Sequence, residues 1–483
     1  MIYLSLLFII PIAQIIFINI PKLSKANIEF ITICSTIFTF ISAVLLANNF
    51  YAISGKEFVL LETIGNLRFS LFLDKAGLVF ILLASFLWIF ASLFSFGYMN
   101  STGEKDLHKF YSFFALSIML TFGIALSANL LTFYLFYESL SLATFPLVTH
   151  YRNDDAKAGG RKYLTYLFGS SLILSLPALV IIYLNGGNSS FALGGIESLE
   201  LMPSLVVICA IFGFSKSALF PFHSWLPNAM VAPTPVSSLL HAVAVVKAGV
   251  FGIIRVVGFV FGFDYINSMS FFGISLSLIL VIIASISVLY PSLVALSANN
   301  LKRRLAFSTI SQLAYISIGA FLLSKVSIIA ALLHIVMHAL SKIILFFVAG
   351  GIYVTTGIKY ISDLKGMGRK SPFLFIAFII GSFGVVGLPI SGGFYSKFLL
   401  LSSTINSNYP ILIWVFLLSS VFSSIYLFQV PFIAFQKNND FQVNKKLPFS
   451  IFISILLVCI ASVLIFFFAD QVYYFLMGFN EEF

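Results

Sequence analysis

Fourteen apolar runs, most of them about 20 residues long, follow one another along this chain, and each is long enough to cross a lipid bilayer as a helix. They fall at residues 2–20, 28–48, 75–98, 110–126, 129–149, 161–184, 203–222, 236–259, 270–292, 304–322, 327–352, 373–404, 410–434 and 448–470. Hydrocarbon offers no partner to a peptide group, so each run must satisfy its own backbone. Only 9% of the 483 residues are charged and 60% are hydrophobic, which excludes a soluble globular domain. The fold class expected is an all-α polytopic membrane protein of about 14 transmembrane helices.

The distribution of basic residues tests that count. Met1 to Ile20 is uncharged and Lys22 and Lys25 follow it, the reverse of a signal peptide, so the segment reads as a first span with its N-terminus outside. If the spans alternate, 18 basic residues fall inside, in groups around Lys22, Lys105, Arg152, Lys302, Lys359 and Lys437. Five fall outside: Lys56, Arg68, Lys75, Arg255 and Lys325. This is the bias of the positive-inside rule, and it predicts an even number of spans with both termini outside. The net charge of +10 therefore follows membrane topology and points to no nucleic acid.

Two spans look broken. The seventh contains Gly213, Lys216 and Pro221; the twelfth contains Gly381, Gly384, Gly387, Pro389, Gly392 and Gly393 before Lys397. Irregular backbone at membrane depth survives where it is buried in protein or lines a wet cavity. In transporters, paired interruptions mark the ion path and an inverted repeat. Gly213-Phe214-Ser215-Lys216 echoes Gly393-Phe394-Tyr395-Ser396-Lys397 five spans later, an odd offset that inverts topology.

Five charges stand well inside these runs, away from their ends: Glu138, Lys216, Lys247, Lys342 and Lys397. A charge at the bilayer centre costs roughly 2.5–3.5 kcal/mol on insertion scales, so such residues mark ion or proton pathways unless they snorkel to the headgroups or form a static pair. Glu138 is the one carboxylate near the middle of a predicted span, and Lys216 is a candidate partner, each tuning the proton affinity of the other. His334, His338 and Lys342 recur every four residues and share a helical face. Histidine accepts a proton at one ring nitrogen while releasing one from the other. The stripe can be read as a proton relay or as packing against polar neighbours; zinc is disfavoured because no HExxH glutamate, nearby carboxylate or cysteine accompanies the pair. Lys247 lies mid-span, whereas His241, six residues earlier, falls on another face and either lines the path or packs.

Soluble-enzyme motifs are missing: there is no G-x-S-x-G, P-loop, dinucleotide fingerprint or haem or iron–sulfur cysteine run. Cys34, Cys209 and Cys459 are scattered through apolar segments as small hydrophobes. The sequence therefore points to no cofactor and no metal, and to a driving force drawn from an ion gradient or a partner subunit.

The run from Lys216 through Pro221-Phe-His-Ser-Trp225, Pro233-Thr-Pro235 and His241 to Lys247 resembles the hallmark of the proton-translocating antiporter-like subunits of complex I, membrane-bound hydrogenases and Mrp-type cation/proton antiporters. Tyr137-Glu138-Ser-Leu, Asn300 to Gln312 and Gly387 to Lys397 resemble the same family, over roughly residues 70–435. The resemblance implies N-terminal helices 1–3 over 1–108 and two inverted five-helix repeats, helices 4–8 over 109–260 and 9–13 over 265–436. A fourteenth helix follows in 445–483. It also implies roles: Glu138 as the fifth-span carboxylate, Lys216 as its partner and Lys247 as the central lysine. His334, His338 and Lys342 would form the middle connection and Lys397 the terminal group. Lys397 stands where one complex I subunit type carries glutamate, and the chain ends soon after the last span, so the resemblance leans toward the D-type Mrp antiporter subunits. The function implied is a proton-conducting subunit of a Na+/proton antiporter in a bacterial inner (plasma) membrane. It would work with other integral-membrane subunits of a hetero-oligomeric complex, with protons and Na+ as its ions. A proton-pumping subunit of complex I or of a membrane-bound hydrogenase is the alternative.

Overall fold

The computed structural model describes residues 2–62, 68–185, 191, 196, 199, 202–438 and 445–477. Nearly all of them are helical. Each of the fourteen apolar runs carries helix, and ten described helices are long and apolar enough to cross a membrane. Ile2–Ile18, Pro203–Gly213 and Pro372–Val386 are shorter apolar helices, and Leu301–Phe321 carries Lys302, Arg303 and Arg304 in its first turn. The chain is thus a multi-pass membrane protein in which ten spans are met by length and hydropathy. The two sheets are small hairpins, Glu57–Glu62 with Arg68–Phe72 and Ser270–Phe271 with Ile274–Ser275, both antiparallel.

Helix starts are written locally. Ser24, Asp74, Asn129, Asn153, Ser324 and Ser391 each accept a backbone N–H from their own first turn, satisfying donors that no preceding turn can reach.

Two helices form the axis. Thr234–Phe261 and Lys325–Thr356 are buried along their whole apolar windows, whereas Leu412–Phe435 and Phe449–Phe467 bury only 33% of theirs. The Lys325–Thr356 helix, hereafter the histidine helix, packs on Leu301–Phe321, Pro372–Val386, Gly392–Ile405 and Lys75–Thr102. Outer helices turn large side chains such as Ile37, Phe38, Trp414 and Phe432 outward, as helices facing lipid do.

Both expected breaks occur. The first helix ends at Gly213, Lys216 lies in a single 3-10 turn (Ser215–Ser217), and after a one-turn helix at Trp225–Asn228 the next long helix starts at Thr234. The second splits into Pro372–Val386 and Gly392–Ile405. Close approach explains the glycines nearby. A Cβ on Gly249 would strike the backbone of Lys216 and Ser217, and one on Gly393 would strike the carbonyl of Gly384.

Two basic residues depart from expectation. Arg255 belongs to no outer loop: it lies inside the Thr234–Phe261 helix, 1% exposed, with two nitrogens on the Asp74 carboxylate. The second of these contacts is 2.9 Å, and three phenylalanine rings, Phe191, Phe251 and Phe259, surround the guanidinium at 4.8–5.4 Å. Arg303 likewise lies in the first turn of Leu301–Phe321 rather than in a loop, while its neighbour Arg304 is buried on the carbonyls of Ala298 and Tyr426 and on Gln429. A helix that begins with its cations reads as a loop when the window is judged on charge alone.

Removing one member of a buried ion pair leaves the other uncompensated, a loss of about 3–5 kcal/mol. Arg255→Ala is therefore expected to lower the thermal stability of the purified protein sharply. Arg255→Met with Asp74→Leu should lose much less. Equal melting temperatures for Arg255→Ala and wild type would contradict this.

Candidate functional site

Glu138 lies on the Leu130–Val148 helix, buried, with the Ser171 side chain close to its carboxylate but no hydrogen bond of normal geometry to either oxygen. The Lys216 ammonium is close enough to interact with it electrostatically, yet no direct ion pair joins them. Lys216 Nζ instead donates to the carbonyl of Tyr137 at 2.6 Å and lies 3.1 Å from the centroid of the Tyr137 ring. The Tyr137 hydroxyl in turn accepts from the Lys216 backbone N–H at 3.0 Å. The expected pair is thus a neighbourhood: the ammonium is held by the residue before the glutamate.

Lys247, with no exposed surface, projects from the Thr234–Phe261 helix onto the histidine helix, where Nζ lies 2.5 Å from His338 Nδ1. His338 and His334 stack one turn apart, ring centroids 6.0 Å and planes 21° from parallel, as the spacing of four predicts. His334 Nδ1 is 2.9 Å from Ser396 Oγ and Nε2 is 3.2 Å from Gln312 Oε1. With Gln312 presenting its oxygen, Nε2 carries the proton and Nδ1 accepts from Ser396; turning the amide over reverses the tautomer.

Lys397 stands at the second break. Its Nζ donates to the carbonyls of Val385 (2.7 Å) and Val386 (3.2 Å), the last residues of the preceding half-helix, and lies 4.6 Å from the Tyr315 ring. Tyr315 also stacks on His334 at 5.8 Å. Lys342, one turn beyond His338, donates to the Leu305 carbonyl at 3.2 Å and interacts electrostatically with Lys247 and Lys397.

Five of the seven expected residues thus lie along two adjoining helices and the second break, and the other two, Glu138 and Lys216, are neighbours at the first break. Lys216 meets the central helix through its backbone, which packs against Gly249 two residues beyond Lys247. None of these lysines snorkels to the protein surface: Lys216, Lys247 and Lys342 are fully buried and Lys397 nearly so. Sequence reasoning did not assign the side chains that contact these groups: Tyr137 at Lys216, Tyr315 at Lys397 and His334, and Gln312 and Ser396 at His334. Gln312 and Ser396 were visible as polar side chains inside apolar runs; the two tyrosines were not separable from the many aromatic residues.

The family described as NADH:quinone oxidoreductase/Mrp antiporter, TM matches residues 127–423, which hold all seven of these candidate residues. The chain belongs to this family. Na(+)/H(+) antiporter subunit A1 of Staphylococcus aureus (strain bovine RF122 / ET3-1) is 31% identical over 361 residues, 71% of this chain and 43% of that protein. The subunit A1 of strain MRSA252 gives the same figures. The chain therefore spans less than half the length of these relatives. A chain of the membrane-bound sulfane sulfur reductase, an archaeal respiratory membrane complex, superposes with a TM-score of 0.85 at 22% identity, covering 99% of this chain and 97% of that one. A chain of the Mrp complex from Dietzia sp. DQ12-45-1b does so with 0.84 at 17% identity and the same coverage. Both likenesses establish the antiporter-like fold.

The close backbone approach at the second break yields a test. Gly393→Ala forces the two half-helices apart and should destabilise the protein by about 1–3 kcal/mol, the usual cost of overpacking. A melting temperature unchanged from wild type would show that the break relaxes freely.

Proposed function

We propose that this chain is a proton-conducting subunit of a multisubunit Na+/proton antiporter in a bacterial plasma membrane, assembled with other integral-membrane subunits. One observation carries the reading: Lys247 and His338, two bases with no exposed surface to speak of, meet at 2.5 Å across the two most buried helices. A static packing role needs neither base, because apolar residues of the same volume would fill the site without the cost of desolvating them.

In this scheme Glu138 carries the charge opposing Lys216, and rearrangement of that pair drives a proton toward Lys247. Lys247 donates to His338 Nδ1, and His338 releases a proton from Nε2, which has no protein partner. His334 passes it on by the same exchange between Gln312 and Ser396, with Lys342 setting the local charge. Lys397 is the terminal group. The two breaks, the lysine beside each and the echo between them support two inverted repeats over 109–260 and 265–436. The basic-loop asymmetry supports both termini outside, and withdrawing Arg255 from the outer set only strengthens it. The placement nearer the D-type Mrp subunits rests on the stretch around Glu138 and on the lysine at position 397.

The family also contains redox-driven pumps, so the identity of the co-purifying subunits separates the two assemblies. Within either, Glu138→Gln is expected to abolish proton flux in proteoliposomes of the purified complex while leaving assembly intact; wild-type flux would refute the role of the carboxylate. Lys216→Ala and Lys397→Ala should each block turnover, and full activity in both would make the broken helices purely structural.

A further inference from the structure

The Leu301–Phe321 helix carries a polar stripe that the histidine relay does not use. Arg304, Ser308, Ser311 and Tyr315 recur at spacings of four, three and four, so they stack along one side of the helix. Arg304 stands at the end that the basic residues mark as inner, where it donates to the Tyr426 carbonyl at 2.9 Å and to Gln429 Oε1 at 2.7 Å. One turn deeper, the Tyr426 hydroxyl donates to Ser308 Oγ at 2.8 Å and lies 3.1 Å from Ser423 Oγ. A further turn brings Ser311 and Ser419 together with Ser292 of the Leu276–Ser297 helix, their three hydroxyl oxygens 3.0–3.3 Å apart. Tyr315 ends the row: its hydroxyl donates to the Phe416 carbonyl at 3.0 Å, with the Ser419 hydroxyl beside it. All five serines and Tyr426 are wholly buried.

The deep end of this row adjoins the bases already described. The Tyr315 ring stacks on His334 and lies 4.6 Å from the Lys397 ammonium. A hydroxyl accepts a proton at a lone pair and releases its own, so each station of the row is able to hand a proton to the next. An open row would join Lys397 to the inner face and let a delivered proton run back.

Charge closes the inner end. Arg304 is 3% exposed and stays protonated, and among the described residues every oxygen it contacts is neutral: the carbonyls of Leu296, Ala298 and Tyr426 and the amide of Gln429. Leu296 and Ala298 end the Leu276–Ser297 helix, whose negative dipole end suits a cation. Arg255, by contrast, has its charge cancelled by Asp74. A guanidinium without a carboxylate keeps its field, and an arginine so placed in a pore repels protons and cations. Serine contacts between helices also hold them together. Adhesion alone needs neither an unneutralised cation at one end nor a ring shared with His334 and Lys397 at the other.

We propose that these hydroxyls form an internal proton wire and that Arg304 is the electrostatic plug that insulates Lys397 from the inner face. The proposal rests on the proton-conducting function above and adds the barrier that keeps the terminal base open to one side only. The plug carries no proton itself; its field makes the neighbouring Ser308 and Tyr426 hydroxyls poor stations for an excess positive charge.

The test uses the whole complex in proteoliposomes without Na+, with a potassium diffusion potential set by valinomycin and proton entry read from an internal pH dye. Arg304→Gln should raise the leak about tenfold over the unmodified complex, the effect of about 1.4 kcal/mol off a barrier. Gln429→Glu leaves the guanidinium in place and sets a carboxylate where the amide oxygen stands 2.7 Å from it, so it should leak as well, even if Arg304→Gln fails to assemble. Arg304→Lys keeps the charge and should stay tight. Adding Ser311→Ala and Ser419→Ala to a leaky variant removes a station of the wire and should restore tightness. A tight Gln429→Glu complex, a leaky Arg304→Lys complex, a leak that survives loss of the two serines, or one that admits radioactive sodium as readily as protons overturns the plug. Normal Na+/proton exchange by the unmodified complex beside any of these results refutes only this inference, whereas no exchange by the unmodified complex refutes the function on which it rests.

Discussion

Hydrocarbon supplies no hydrogen bonds, and the placement of every polar group in this protein follows from that single constraint. Charges and broken backbone can persist at membrane depth only where protein surrounds them, so the two lysine-bearing breaks and the histidine stripe must converge on the interior. They do so on the Thr234–Phe261 and Lys325–Thr356 helices, whose apolar windows are buried throughout. The outer helices then need only length and apolarity, and the N-terminal pair and the Leu412–Phe435 and Phe449–Phe467 helices carry none of Glu138, Lys216, Lys247, Lys342 and Lys397.

The helical segments could be located from the sequence because hydropathy over 20 residues is a strong and local signal. So could both breaks, since glycine and proline clustered beside a lysine in an apolar run are hard to reconcile with a continuous helix. What escaped was pairwise. Nothing in the order of residues says that Lys216 turns to the carbonyl of Tyr137 rather than to the Glu138 carboxylate one position later. Lys247 and His338 are 91 positions apart, and only packing reveals that they touch. Arg255 shows the opposite failure: a basic residue near the end of a predicted span reads as water-facing, although Asp74 and three aromatic rings hold it inside. Long-range partners decide such cases, and single-sequence patterns do not encode them.

The two breaks treat their lysines differently, and the difference follows from backbone geometry. At the second break the preceding half-helix ends at Val386, and its last carbonyls point at Lys397, so the negative end of a helix dipole faces the ammonium. At the first break Lys216 lies in the 3-10 turn itself and reaches across to a neighbouring helix, gaining one carbonyl and a ring face. Of the two lysines, only Lys216 has a buried carboxylate in its surroundings. A lysine held by fixed backbone dipoles sees a constant field. A lysine beside a carboxylate that forms no ion pair with it sees a field that changes whenever that side chain turns. In the proposed scheme the first break is therefore where an external event alters proton affinity, and the second is where a proton is given up. Within the proposed scheme, that asymmetry is what distinguishes the two ends of the chain of bases.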